Sequence, residues 1–315
     1  MSTKLVLDGG ILLSAIMMSS SVLAYDEPHL NLGATSFLDG TPPSGPGLYL
    51  MQYLQTYSGE LKDKDGDNLP LPKHNVDITA SLSQLLYVSP NKISSDLSWG
   101  VHTILPIVLS ADVDDGLGGS ALTSGTGMGD LVAGAFLQTD PVMGPDGPKF
   151  VQRFAVDFLA PTGDYDPKNA VNPSSNFWSF NPNWAATFWF SPKWTASWRL
   201  HYLWNAKNNK PNDAYGPEAD TTQAGQVLHA NFATEYAVTP QLRVGLNGYW
   251  LQQIEDTKVN GEHVSGTRER VWALGPGAVY SFSKEDHVFA NLYSEFGAEN
   301  RPEGTKLIFR FVHHF

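Results

Sequence analysis

From about residue 46 onward, apolar and polar positions alternate with a period of two. That period belongs to strands with one apolar face. It predicts twelve strands, at 47–60, 74–88, 95–110, 126–139, 150–161, 177–190, 194–207, 223–238, 241–254, 269–282, 287–297 and 305–315. In 194–204, Trp194, Ala196, Trp198, Leu200, Tyr202 and Trp204 share one face, and Thr195, Ser197, Arg199, His201 and Leu203 the other. The connections alternate too. Tight turns at 89–92, 191–193, 239–240 and 283–286 alternate with long polar loops near 61–73, 111–125, 162–176, 208–222, 255–268 and 298–304. The 140–149 connection is longer than a turn. Short turns on one rim and long loops on the other are the pattern of outer-membrane barrels, and an even strand count puts both termini on the periplasmic rim.

A soluble sandwich would turn the apolar face inward; a barrel in lipid turns it outward. Trp184, Trp189, Trp194, Trp204, Trp250 and Tyr280 are expected on the apolar face towards strand ends, where an aromatic girdle meets the bilayer interface. Composition agrees. Only 17% of residues are charged, against about 25% in soluble domains, and the mean hydropathy is -0.22, too polar for a helical membrane protein. The net charge of -12 argues against a nucleic-acid partner. With no cysteine, disulfides, thiolate metal sites and Cys nucleophiles are excluded.

Residues 1–24 read as a signal peptide, with Lys4, a short apolar core from Ile11 to Met18, and a Val22-Leu23-Ala24 cleavage site. The core is too short to span a bilayer. The expected divisions are therefore a signal peptide at 1–24, an N-terminal segment at 25–46 and a barrel at 47–315. Residues 25–46 are rich in Gly and Pro yet carry Leu30, Leu32, Phe37 and Leu38. A free tail would be more polar, so this segment is expected to plug the lumen. The last strand places Leu307, Phe309, Phe311 and Phe315 on one face and ends on Phe315, as an assembly signal for barrel insertion would.

Three motifs carry a resemblance: Pro42-Pro43-Ser44-Gly45-Pro46-Gly47 before the first strand, Gly127-Met128-Gly129-Asp130, and Pro161-Thr162-Gly163-Asp164-Tyr165. Over nearly the whole mature chain, the sequence resembles the outer-membrane channel family named for the meta-pathway of phenol degradation. The resemblance implies a twelve-stranded barrel with its N-terminal segment folded into the lumen. It also implies uptake of hydrophobic small molecules, with a lateral opening in the wall as their route. The phenol name then reflects gene context rather than catalysis.

The inward faces are expected to carry Arg153, Asp157, Arg199, His201, His229, Glu235, Arg243, Glu295, Lys306 and Arg310. Mixed signs favour a structural salt-bridge network over a selective pore lining. Pro106, Pro182 and Pro276 interrupt strands, where each removes a ladder donor. Each marks either a lateral exit or a bulge that sets curvature. The sequence around Asp63–Asn68 does not meet the EF-hand spacing. No G-x-S-x-G, H-E-x-x-H or Walker loop occurs, so no catalytic residue, cofactor or metal is expected.

The sequence therefore points to an all-β transmembrane antiparallel barrel in the bacterial outer membrane. The expected function is passive uptake of hydrophobic, aromatic-type solutes past Phe37, Leu38, Pro42, Pro43 and Tyr49. The alternative is a water-filled diffusion porin for small polar solutes. Expected partners are outer-membrane lipids and lipopolysaccharide, the barrel assembly machinery and the hydrophobic substrate.

Overall fold

A computed structural model describes residues 27–28, 30–41, 44–118 and 122–315. The expected signal peptide at 1–24 and the residues Pro42 and Pro43 lie outside these. Twelve strands form the wall: β1 (Gly47–Leu61), β2 (Asn75–Val88), β3 (Leu97–Asp114), β4 (Leu131–Thr139), β5 (Gly147–Ala160), β6 (Ser179–Ser191), β7 (Trp194–Asn205), β8 (Val227–Ala237), β9 (Leu242–Gln253), β10 (Arg270–Ser281), β11 (Asp286–Glu299) and β12 (Pro302–His314). Each pairs antiparallel with its sequence neighbours. β1 closes on β12 from Tyr49↔His314 to Leu61↔Pro302, so the barrel has no free edge. Closure leaves no exposed row of backbone donors, which hydrocarbon would not tolerate.

The alternation places polar side chains inside. Thr187, Asn231, Glu235 and Asn247 are all buried, whereas Leu54, Phe154, Leu246 and Phe309 are exposed on the outer face. Burial of the polar face and exposure of the apolar face is the inverse of a water-soluble sheet protein. Trp194, Trp204 and Tyr280 are exposed as expected. Trp189 is a correction: it pairs with the buried Thr195 and faces the interior, between the outward Phe188 and Phe190.

Two connections differ from the sequence expectation. The expected long loop at 298–304 is a two-residue turn, Asn300-Arg301, between β11 and β12. Asn300 adopts the left-handed conformation (φ 54°) that Asn tolerates, and the Glu303 carboxylate accepts the Ala298 N–H. The 140–149 connection is a short hairpin, in which Val142–Gly144 pairs back onto β5.

Inside the barrel, β4 carries Gly134 directly between His102 on β3 and Asp157 on β5. Without a side chain there, His102 Nε2 reaches Asp157 Oδ1 at 2.8 Å. A Cβ at 134 would sit 2.2 Å from Asp157 Oδ1. Gly134→Ala should therefore lower stability by about 1–3 kcal/mol, as overpacking does. Unboiled gel-shift melting should show a lower midpoint; an unchanged midpoint would refute the close-approach argument.

Candidate functional site: the barrel interior and its wall

Residues 30–41 make contacts with inward side chains around much of the barrel. Gly33 N–H donates to Asn231 Oδ1 (2.8 Å), and the Asn231 amide donates to the Asn31 carbonyl (2.9 Å). Tyr293 Oη–H donates to the Gly33 carbonyl (2.8 Å), and Asn291 donates to Ser36 Oγ (3.1 Å). Lys306 and Arg310 donate to the carbonyls of Leu32 and Ala34. Gly40 donates to Thr187 Oγ1, and its carbonyl accepts from Gln138. Every one of these holds a backbone or hydroxyl group that would otherwise be buried unpaired.

The strongest tie is ionic. Arg199 Nε and Nη2 donate to Asp39 Oδ2 and Oδ1 at 2.8 and 2.7 Å. This bidentate fork is buried on both sides. From Arg199 a chain of hydrogen bonds runs back round the wall: to Asn183, then Asp157, His102, Gln84 and Tyr53. The apolar side chains follow the same plan. Leu32 lies in a buried cluster with Tyr249, Tyr293 and Ile308, and Phe37 in a second with Leu86, Phe136, Phe289 and Val312.

Two cavities flank the segment. One, of about 170 Å³, is lined by Leu30, Leu32, Tyr57, Lys306 and loop residues including Asn208 and Asn212. The other, of about 510 Å³, is lined by Phe37, Leu38, Asp39, Phe136 and residues of β1–β5, and reaches Trp189 and Pro240 near the short-turn rim, where β1 begins and β12 ends. The expectation that both ends of the chain lie at that rim is corrected for the described segment: Glu27 accepts from Asn205 at the long-loop rim, so the described residues of 27–44 run through the lumen from that side to the start of β1. Arg153, Asp157, Arg199, His201, Arg243 and Arg310 also line the larger cavity. His229 does not; it is stacked on His201 with ring centroids 4.0 Å apart. Glu235 sits behind Arg243 and accepts from Thr195. Glu295 accepts from Tyr57, Tyr249 and the Gly304 amide. Tyr49, expected on the solute path, is fully buried and does not line this cavity. It stacks on His314, and its hydroxyl bonds to Ser44 and Gly45, fixing the chain where it joins β1.

The three prolines are not equivalent. At Pro182 the β6–β7 pairing resumes in the same register at Asn183↔His201, and at Pro276 the β10–β11 pairing resumes at Gly277↔Asn291. At Pro106 the neighbouring chain departs. β3 pairs with β4 as far as Ile104↔Val132, then resumes with Ile107↔Met128, one residue out of step. The extra residue is a bulge across 129–131. Only Gly129 N–H to the Pro106 carbonyl (2.9 Å) bridges it.

The loop between β5 and β6 supplies the missing partners. Thr162 Oγ1 accepts the Leu131 amide and Asp164 Oδ2 the Met128 amide. Asp130 accepts from Gly163 N, Ser174 Oγ, Ser175 N and Ser175 Oγ at 2.6–3.2 Å. Gly163 lies so close that a Cβ would be 2.5 Å from the Met128 carbonyl oxygen. The G-M-G-D and P-T-G-D motifs thus meet at one spot in the wall. From Trp99 to Ile107 β3 rises about 27 Å along the strand, or about 20 Å along the barrel axis at a tilt of about 40°. In the loop before β2, Lys73 donates to Asp114 at the end of β3 (2.7 Å). That hydrogen bond and the carboxylate's charge raise the lysine's pKa.

The sequence motifs contain Asp130, Thr162 and Asp164 with no role assigned to them, and the expected inward positions leave Asp39, His102, Gln138 and Asn183 unassigned. Alternation alone could have put His102 inside, opposite Trp99 and Val101.

A closed twelve-stranded antiparallel barrel with an apolar outer face defines this chain as an outer-membrane-type β-barrel. The sequence profile of the family described as "Putative MetA-pathway of phenol degradation" matches residues 58–311, and the chain belongs to that family. The COG4313 outer membrane channel from Pseudomonas putida F1 shares the fold, with a TM-score of 0.75 at 19% identity over 89% of this chain and 99% of that one. The TodX monoaromatic hydrocarbon channel (deltaS2 mutant) aligns at 8% identity over 87% of this chain and 91% of that one, with a TM-score of 0.47. The translocator domain of the autotransporter NalP from Neisseria meningitidis aligns at 10% over 97% of each chain, with a TM-score of 0.46. Neither of these two has a TM-score high enough to carry an argument. No curated protein sequence matches.

Asp39→Ala leaves Arg199 buried without its acid. Breaking a buried pair in this way costs about 3–5 kcal/mol. The variant should expose residues 30–41 to added protease and lower the melting midpoint. Asp39→Ala/Arg199→Met should recover part of the loss. A protease-resistant segment in the single variant would contradict this.

Proposed function

We propose that the protein is an outer-membrane channel for passive uptake of hydrophobic small molecules. In this reading residues 25–46 plug the axial path, and solutes leave sideways through the wall at the β3–β4 bulge. The observation that carries it is the larger cavity. It is walled by Phe37, Leu86, Phe136 and Val312, and Ile104, Pro106 and Val132 bring it to the bulge. The apolar part of this cavity offers a hydrophobic solute a favourable site of about 25 cal/mol per Å² buried. The bulge is the stretch where contacts to the β5–β6 loop, most of them through side chains, replace ladder hydrogen bonds, and this reading places the opening there. Family membership and the COG4313 fold support the same reading. Loops on the far rim would face lipopolysaccharide and receive the solute, and Phe315 would guide insertion by the assembly machinery. The channel carries out no chemistry of its own, and its flux follows the concentration gradient.

The test is paired. In planar bilayers, deleting residues 26–45 should raise ion conductance several-fold. In proteoliposomes, the intact protein should speed entry of naphthalene-like solutes but not of small sugars. Unchanged conductance in a folded deletion would refute the plug, and sugar flux through the intact protein would favour the diffusion-porin alternative.

A further inference from the structure

The larger cavity is lined by four arginines, Arg153, Arg199, Arg243 and Arg310, against two aspartates, Asp39 and Asp157. The acids are already committed. Asp39 is forked by Arg199, and Asp157 is held by His102 and Asn183. Arg243 faces Glu235 at 3.5 Å. Arg153 and Arg310 remain, each buried and with no carboxylate within 4.0 Å among the described residues.

Their hydrogen bonds are few. Arg153 donates only through Nε, to Gln138 (2.9 Å), and its buried Nη2 has no partner. Arg310 donates only through Nη1, to the Ala34 carbonyl (3.2 Å), and its Nε has none. Each guanidinium has one face on an aromatic ring, Arg153 on Phe136 at 4.3 Å and Arg310 on Phe289 at 3.7 Å. Stacking holds the plane of the fork but leaves donors along its edge free. Asp39 and Asp157 act on Arg153, and Asp39 on Arg310, only from beyond ion-pair distance, and a buried charge matched only at a distance is unfavourable. The two guanidiniums share their cavity wall with apolar side chains such as Phe37, Leu86 and Val312.

We propose that this cavity selects amphipathic carboxylates: molecules with an apolar, aromatic or alkyl body and a single carboxylate head. The head takes the free donors of Arg153 and Arg310, and the body lies against Phe37, Phe136 and Leu86. The planar guanidinium matches a carboxylate's two oxygens, and both partners gain from the low-dielectric surroundings. A neutral analogue would leave both arginines unmatched. In a chain of net charge -12, this cationic interior is the local exception that makes a channel for organic acids physically reasonable. The inference rests on the uptake reading above and narrows its substrate class.

The experiment is isothermal titration of the full mature protein in lipid nanodiscs, with empty nanodiscs subtracted. The probes are 4-butylbenzoate and the isosteric neutral 4-butylbenzamide. The benzoate should bind at least about tenfold tighter, the scale of a charge-assisted hydrogen bond. Arg153→Gln and Arg310→Gln should each weaken the benzoate about tenfold and leave the benzamide unchanged, and Arg153→Lys should recover part of the loss. Equal binding of the two probes to the unaltered protein overturns the carboxylate inference while leaving hydrophobic uptake standing, and that comparison requires no variant to fold. A preference that survives both Gln substitutions also overturns it. Binding of neither probe overturns the uptake reading and this inference together.

Discussion

In hydrocarbon every backbone N–H and C=O needs a partner inside the protein, and the rest of this structure follows from meeting that demand. It closes β1 on β12, turns the apolar residues outward and forces the polar ones into a narrow interior. The interior must then satisfy its own buried groups. It does so for many of them with a segment of the chain: residues 30–41 supply carbonyls, amides and one carboxylate to β4, β6, β7, β8, β11 and β12. The same residues join the two apolar clusters through Leu32 and Phe37. Barrel and segment therefore form one packing problem with one solution.

The demand is met differently at one place. Across the bulge beside Pro106, side-chain acceptors from a loop more than thirty residues away stand in for the ladder. Side chains can rotate away from an amide without breaking a register, whereas a ladder cannot yield at one rung alone. At the same place the Asp164 N–H donates to the Met128 carbonyl (2.8 Å), and Asp130, with its four donors, ties the bulged strand to the loop.

The faces of the strands were legible because lipid enforces a sharp contrast between neighbours. The inward positions of Arg199, His201, His229 and Arg243 follow directly from that contrast. It fades where strands rise beyond the apolar band and both faces are wet. There β3 runs on to Asp114, and β11 and β12 meet at Asn300-Arg301, although the residues around the turn read as a loop. Trp189 was misplaced because an aromatic near a strand end looks like a girdle residue on either face. Mixed charge along the strands suggested mutual neutralisation. Pairing adds the detail that Asp39 meets Arg199, Glu235 faces Arg243 and Asp157 bonds to His102, while Arg153 and Arg310 have no carboxylate within ion-pair distance among the described residues. No one-dimensional pattern reports which charges meet, nor that two short glycine motifs converge on the same bulge.

The most direct test of the lateral route uses the absence of native cysteine. Cysteines at the paired positions Ile107 and Met128 would lock β3 to the bulged strand when oxidised. If solutes leave through the wall there, oxidation abolishes entry of a hydrophobic probe into proteoliposomes, reduction restores it, and ion conductance stays the same in both states. Probe entry that is equally fast with the pair oxidised and reduced would contradict the account.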